Sequence, residues 1–248
     1  MSILELQGVS KKFGDFPAVN EFSLSVDQGE LRCLLGPNGA GKSTCMDLIT
    51  GRQKTSGGKV FFKGEDITDN SEHKIVRSGI GRKFQVPAVF PHLSVEQNLE
   101  VAFAKGRGPF AAMGVFRRTL GHSNRFDEII EMIGLSRRLE DLAGLLSHGE
   151  TQWLEIGMVL MQDPDLLLMD EPTAGMTEQE TLKTSEIFNR LKGSHTLIVV
   201  EHDMSFVRQI ADVVTVMHMG GFLAQGTITE IEANPEVRDV YLGEEGDH

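Results

Sequence analysis

Positive charge is scarce in this sequence: 24 lysines and arginines face 36 aspartates and glutamates, a formal net charge of −12 over 248 residues. Phosphate backbones demand a surplus of Lys and Arg, so a general affinity for nucleic acid is not expected. Any membrane contact is expected to run through a protein partner. Cysteine is nearly absent. Cys33 and Cys45 cannot build a metal cage or a disulfide framework, and a reduced, cytosolic setting is expected. Long apolar runs are missing too. The most apolar stretches, such as residues 166–169 and 197–200, are four residues long, against the roughly 20 that a membrane helix needs. Met1-Ser2-Ile3-Leu4-Glu5 holds neither a basic segment nor an apolar block, so no signal peptide is expected. What is present is ordinary for a globular chain: 40% hydrophobic and 24% charged residues, without internal repeats or low-complexity stretches.

Apolar residues alternate early (Ile3, Leu6, Val9, then Phe22, Leu24, Val26), as in half-buried strands, with turns at Gly14-Asp15 and Asp27-Gln28-Gly29. Residues 31–35 form a short apolar strand that enters a glycine-rich loop. A helix follows from Lys42, with Met46, Leu48 and Ile49 inward and Gly51 as its stop. Another strand is expected at residues 59–62. Ser94-Val95-Glu96-Gln97 is a capping box that opens a helix. Helical patterns return at residues 125–133, 137–142 and 150–161, while residues 105–124 fit no regular element. Strands at 166–170, 196–200 and 213–217 alternate with a helix capped by Thr177 and Glu180 and with a segment at 204–211. That alternation implies parallel βαβ units.

Gly36-Pro37-Asn38-Gly39-Ala40-Gly41-Lys42-Ser43-Thr44 satisfies the phosphate-loop pattern, between strand and helix as it must be. The glycines let successive N–H groups point inward, Lys42 offers a charge to the β- and γ-phosphates, and Ser43 can ligate Mg²⁺. A plain glycine-rich turn is the bland alternative. An apolar strand then ends in Asp170-Glu171. Asp170 is placed to hold Mg²⁺, and Glu171 to polarise an attacking water; a solvated acidic turn would have the same composition.

Leu146-Ser147-His148-Gly149-Glu150, opening a helix ahead of Asp170, resembles the signature motif of ATP-binding cassette (ABC) ATPases, usually Leu-Ser-Gly-Gly-Gln. Gln85 then matches the family's Q-loop, His202 its switch histidine, and Phe13 the aromatic that stacks on adenine. The resemblance covers essentially the whole chain. Residues 170–177, 201–204 and 240–243 are similar to the branched-chain amino acid and amide importers. Gly81-Arg82-Lys83-Phe84-Gln85, Leu145 to Gly149 and Gln152-Trp153-Leu154-Glu155-Ile156-Gly157-Met158 look like the first of the two ATPase subunits of bacterial urea importers.

This resemblance implies an α/β fold: a RecA-like parallel-sheet core with an N-terminal antiparallel β subdomain (together residues 1–90 and 163–226), a helical subdomain (91–162) and a helical tail (227–248). It implies ATP and Mg²⁺ as cofactors, with Ser43, Gln85 and Asp170 at the metal and Glu171, His202 and Gln85 at the chemistry. Ser147, His148, Gly149 and Glu150 would face the ATP of an opposite subunit. The implied partners are two transmembrane permease subunits, a second related ATPase in a heterodimer and, indirectly, an extracytoplasmic solute-binding protein, at the cytoplasmic face of the bacterial inner membrane. The solute is urea or a short amide, with branched-chain amino acids as the alternative.

Other readings stay open at single residues. Ser147 also suits an ordinary helix N-cap, His202 a structural role, Gln85 loop filling, and Phe16 competes with Phe13. Glu150 would bring a negative charge near a phosphate unless its side chain turns away, and Thr177 stands where most of the family carries Asp. Trp153 fits a core or docking position, and Arg117-Arg118 a solvated face. A soluble ABC protein acting on DNA or ribosomes would share the nucleotide motifs but usually needs a second cassette, a coiled coil or a basic surface. A phosphate-loop kinase has no use for the signature and the histidine.

Overall fold

The computed structural model describes residues 1–83, 89–105 and 124–243. Gln85, Arg117 and Arg118 lie outside the described residues. Strands β1 (Ser2–Phe13), β2 (Phe16–Asp27), β4 (Gly57–Phe62) and β5 (Glu65–Asp66) make an antiparallel sheet in the order β2-β1-β4-β5. β3 (Leu31–Leu35), β6 (Ile80–Lys83), β7 (Leu166–Asp170), β8 (Thr196–Val200), β9 (Val213–His218) and β10 (Gly221–Gly226) make a second sheet, ordered β10-β9-β3-β8-β7-β6. All its neighbours are parallel except the β9–β10 hairpin.

The central strands are buried on both faces, which is why they appear in sequence as unbroken apolar runs rather than as alternation. Period two still sorts their side chains. Leu34, Leu166, Leu168, Ile198 and Val200 face the antiparallel sheet, with α1 (Lys42–Ile49) between the sheets through Cys45, Met46 and Ile49. Cys33, Leu35, Leu167, Met169, Leu197 and Val199 face the opposite way, onto the helices. Burial lifts both thiols well above the ordinary cysteine range, Cys45 to about 12, so they behave as core side chains.

Among the described residues the remaining helices are α2 (Glu72–Ser78), α3 (Val95–Lys105), α4 (Asn124–Met132), α5 (His148–Leu160), α6 (Glu178–Leu191), α7 (Met204–Ile210), α8 (Ile228–Ala233) and α9 (Pro235–Gly243). The Ser94 capping box forms, Ser94 N–H reaching Gln97 Oε1 at 2.9 Å and Gln97 N–H reaching Ser94 Oγ at 3.1 Å. Residues 137–142 are not the expected helix. Two 3₁₀ turns, Ser136–Arg138 and Ala143–Leu145, flank a Leu142 that bridges to Ser94. Ala143 N–H bonds Leu93 C=O at 2.9 Å, so the backbone there serves the start of α3 instead of a helix of its own. β5, α2, β6 and β10 are additions to the expected elements. Trp153 belongs to the core, its Nε1–H donating to Thr184 Oγ1 at 3.0 Å. No helix among the described residues is long and apolar enough to cross a membrane.

Candidate active site

Residues 36–44 leave the C-terminal end of β3 and run into α1. Gly36, Gly39 and Gly41 sit at φ 149°, 78° and 98°, conformations that side chains resist. Packing enforces two of them. A Cβ on Gly36 would stand 2.2 Å from the Met217 carbonyl oxygen, and one on Gly41 2.4 Å from that of Ala18. Gly41 gives α1 no side-chain cap, so the first-turn N–H groups and the positive end of the helix dipole serve the loop. Lys42 is buried, its Nζ donating to the carbonyls of Gly36 at 2.6 Å and Pro37 at 2.9 Å. Asn38, Gly39 and Ser43 are exposed, Ala40 and Pro37 buried, and Thr44 half-buried. The turn between β9 and β10 fastens the loop from outside. Gly220 N–H bonds Ala40 C=O at 3.0 Å, and Gly220 C=O accepts Asn20 N–H at 2.8 Å.

Parallel pairing of Asp170 with Val200 sets the ends of β7 and β8 side by side. Asp170 is buried at that edge, with the Ser43 hydroxyl among the groups that favour its ionised form. Burial pushes its carboxyl above the usual range, opposed chiefly by the Arg82 guanidinium 3.7 Å away. Arg82 also donates to Asp47 Oδ1 at 2.5 Å, tying β6 to α1. Glu171 adopts φ 46° with its N–H on Val200 C=O at 2.9 Å. Its Oε1 lies 3.8 Å from His202 Nδ1, and His202 is 66% exposed. The carboxylate and the imidazole thus share one open edge, one strand apart.

Glu201 was not singled out as a site residue by sequence, yet it organises this edge. It is 1% exposed. It accepts from Thr173 N–H at 3.2 Å, Thr173 Oγ1 at 2.7 Å and His202 N–H at 3.2 Å, locking the turn after Glu171 to the one that carries His202. The only available signal was an acid directly following an apolar strand.

The residues present fit magnesium and a nucleotide. Asp170 Oδ1 is buried with no hydrogen-bond partner, an orphan acceptor of the kind a cation resolves. Among the described residues, no group of three or more acidic, histidine or cysteine side chains is arranged to hold a metal ion. That donor set suits Mg²⁺, which takes one or two protein groups and completes its shell with phosphate and water.

Residues 147–150 gather around the start of α6 rather than the loop at 36–44. Ser147 caps α5, its Oγ accepting Glu150 N–H at 3.1 Å. The Glu150 carboxylate turns back onto Ser147 N–H at 2.9 Å and the Arg138 guanidinium at 3.0 Å. Burial favours its neutral form, but these partners outweigh it and hold it below the ordinary value. Its charge is therefore spent within the chain. His148 Nε2 meets Ala174 C=O at 3.0 Å, and Thr177 caps α6 in a box with Glu180. Phe13 stands at the end of the β1–β2 hairpin opposite Phe16, both exposed, with Lys11 Nζ 5.1 Å from the Phe13 ring centre.

Comparisons with known proteins agree with this geometry. The family model described as ABC transporter matches residues 19–174. The high-affinity branched-chain amino acid transport ATP-binding protein BraF of Pseudomonas aeruginosa is 34% identical over 250 residues, covering 98% of each chain. LivG of Escherichia coli, of the same description, is 34% identical with the same coverage. Among solved structures, a nucleotide-free ATP-binding cassette from an ABC transporter aligns with TM-score 0.82 and 32% identity, covering 97% of this chain and 99% of its own. An ATP-binding cassette in its ADP conformation aligns with TM-score 0.84 and 32% identity, covering 98% and 99%. The named relatives are branched-chain amino acid proteins, so they do not support the narrower urea resemblance. With the phosphate loop, the paired strand ends and the whole-length similarity in agreement, the chain belongs to the ABC transporter family, as an ATPase whose hydrolysis is coupled to transport.

Proposed function

We propose that this chain powers a bacterial importer of the branched-chain amino acid and amide class from the cytoplasmic face of the inner membrane. ATP lies in the cradle of residues 36–44, Lys42 at its β- and γ-phosphates, with Phe13 stacked on adenine. Ser43, Asp170 and Gln85 hold Mg²⁺, which supplies charge neutralisation at the transferring phosphoryl. Glu171 polarises the water, and His202 orients it beside the γ-phosphate. Ser147, His148, Gly149 and Glu150 form the face offered to an opposite ATP, Ser147 and Gly149 through the N-terminal donors of α5. A second, related ATPase completes the pair, two permease subunits carry the motion, and an extracytoplasmic binding protein delivers solute. The observation that carries the reading is the Glu171–His202 pair set 3.8 Å apart beside the buried Asp170, whose Oδ1 has no hydrogen-bond partner.

Branched-chain amino acids are the favoured solute, because the whole-length relatives carry that description. Urea is the second reading, supported by the residues at 81–85 and 145–158 that resemble urea-importer subunits. Two variants test the chemistry. Lys42→Ala is expected to lose binding of a fluorescent ATP analogue. Glu171→Gln is expected to keep that binding while hydrolysis falls at least the ~10²-fold typical of a lost general base. Wild-type turnover by the Gln variant would move the base elsewhere. Uptake of labelled leucine and urea by cells lacking the gene decides the solute: the one whose uptake is lost is the cargo.

A further inference from the structure

The carboxylate of Glu180 does two jobs at once. Oε2 accepts from Thr177 N–H at 2.9 Å and Thr177 Oγ1 at 3.0 Å, closing the capping box of α6. Oε1 accepts from Ser147 Oγ at 3.2 Å, and the nearby Gly149 backbone helps to keep the carboxylate ionised. A Cβ on Gly149 would stand 2.4 Å from Oε1 and 2.5 Å from Cδ, so the carboxylate rests directly on the Gly149 backbone. One anion therefore sits against the positive ends of two helices, α5 and α6. The Thr177 N–H and the other donors hold it below the ordinary glutamate value. The nearer acid of α5, Glu150, is turned aside onto Arg138, which leaves this place to Glu180.

We propose that Glu180 is a placeholder anion for the signature motif: its carboxylate occupies the Ser147 hydroxyl, against the Gly149 backbone, where a phosphate would bind. It yields that place when the γ-phosphate of the opposite subunit's ATP arrives. Carboxylate and phosphate cannot share that place, and their like charges repel at such range. The exchange is local, because Oε2 stays on Thr177 while Oε1 swings away, so α6 keeps its cap. Until then the place stays taken, and the arriving phosphate must outcompete an internal anion. This inference rests on the reading of residues 147–150 as the face toward the opposite nucleotide.

ATP hydrolysis by the assembled transporter, measured against ATP concentration, tests it. Glu180→Gln keeps the capping box, since Gln serves at that position, but removes the competing charge. Glu180→Asp keeps the charge and withdraws it by one methylene from Ser147 and Gly149. Both are expected to lower KM for ATP about fivefold, the scale of one charge at a helix N-terminus, with kcat within about twofold and an unchanged melting temperature of the isolated chain. If Gln melts lower, Asp alone decides. A purely structural Glu180 would instead raise KM or lower kcat, and an unchanged or raised KM overturns the proposal. Ser147→Arg in the same complex separates the premises. It is expected to abolish hydrolysis, and wild-type turnover by that variant would bring down the signature reading itself. Loss of hydrolysis there, with KM unmoved in both Glu180 variants, would remove Glu180 alone.

Discussion

Glu171 occupies a left-handed backbone conformation, φ 46°, which a residue with a side chain adopts at a cost of about 1–3 kcal/mol. Its neighbours impose that geometry: Asp170 closes β7, and Glu171 N–H is already committed to Val200 C=O at 2.9 Å. The strain turns the carboxylate out of the sheet toward His202. Glu171→Gly should therefore raise the midpoint of thermal unfolding while abolishing hydrolysis, and calorimetry beside an ATPase assay checks both. A lower midpoint would mean that the conformation is unstrained here. At this scale the phosphate loop and Asp170-Glu171 were legible in sequence, because spacing and a preceding strand define them. Glu201 was not, because its importance lies in reaching Thr173 across the sheet, and a single acid carries no trace of its partner. Glu150 looked like an unfavourable charge until Arg138 was found beside it.

Elements with their own start signals were readable: the capping at Ser94 and at Thr177 with Glu180 forms, and Ser147, read as an N-cap, closes a box with Glu150. β6 was harder. Its sequence Ile-Gly-Arg-Lys holds two long cations, yet Lys83 and Arg82 are almost wholly buried. Arg82 finds Asp47 and Asp170, and Lys83 Nζ lies 3.6 Å from Glu155 Oε2 on α5. Burial depresses the Lys83 ammonium, and Glu155 opposes that. The pair joins the strand leading to Gln85 to the helix that starts at the signature residues. Removing one member takes a buried ion partner from the other. Lys83→Met should therefore cost about 3–5 kcal/mol, while Lys83→Met with Glu155→Leu should come close to the parent. Urea unfolding of the three proteins measures this, and equal costs for the single and double variants would deny the coupling. α2 escaped notice for a simpler reason: it is seven residues long and buries only Ile75, too little for a helical period to register.

At the scale of the whole molecule, the alternation of β7, β8 and β9 with α6 and α7 was legible in sequence, but β10, and with it the second use of the β9–β10 hairpin, was not. That hairpin closes the parallel sheet with an antiparallel edge and anchors the phosphate loop. Association belongs to this scale as well. On the proposed reading, residues 147–150, which pack against the start of α6, complete a site on another subunit. With Thr177 spent on capping and Glu150 on Arg138, the partner is expected to be a related but different ATPase. Purified alone, Glu171→Gln protein with ATP and Mg²⁺ should scatter light as a monomer. A tight homodimer, together with full transport after deletion of a neighbouring ATPase gene, would refute the heterodimer.

The turn at Met219 and Gly220 also bears on how the protein can be handled. Met219 is 78% exposed, and a surface map would recommend this spot for a peptide tag, a fluorophore or a fused reporter. Gly220 is nonetheless strung between Ala40 and Asn20 by two backbone hydrogen bonds, so an insertion there would pull on the loop that cradles the nucleotide. The Lys63–Gly64 turn, where a Cβ on Gly64 meets open space, belongs to the antiparallel sheet and lets the chain be labelled without touching that fastening.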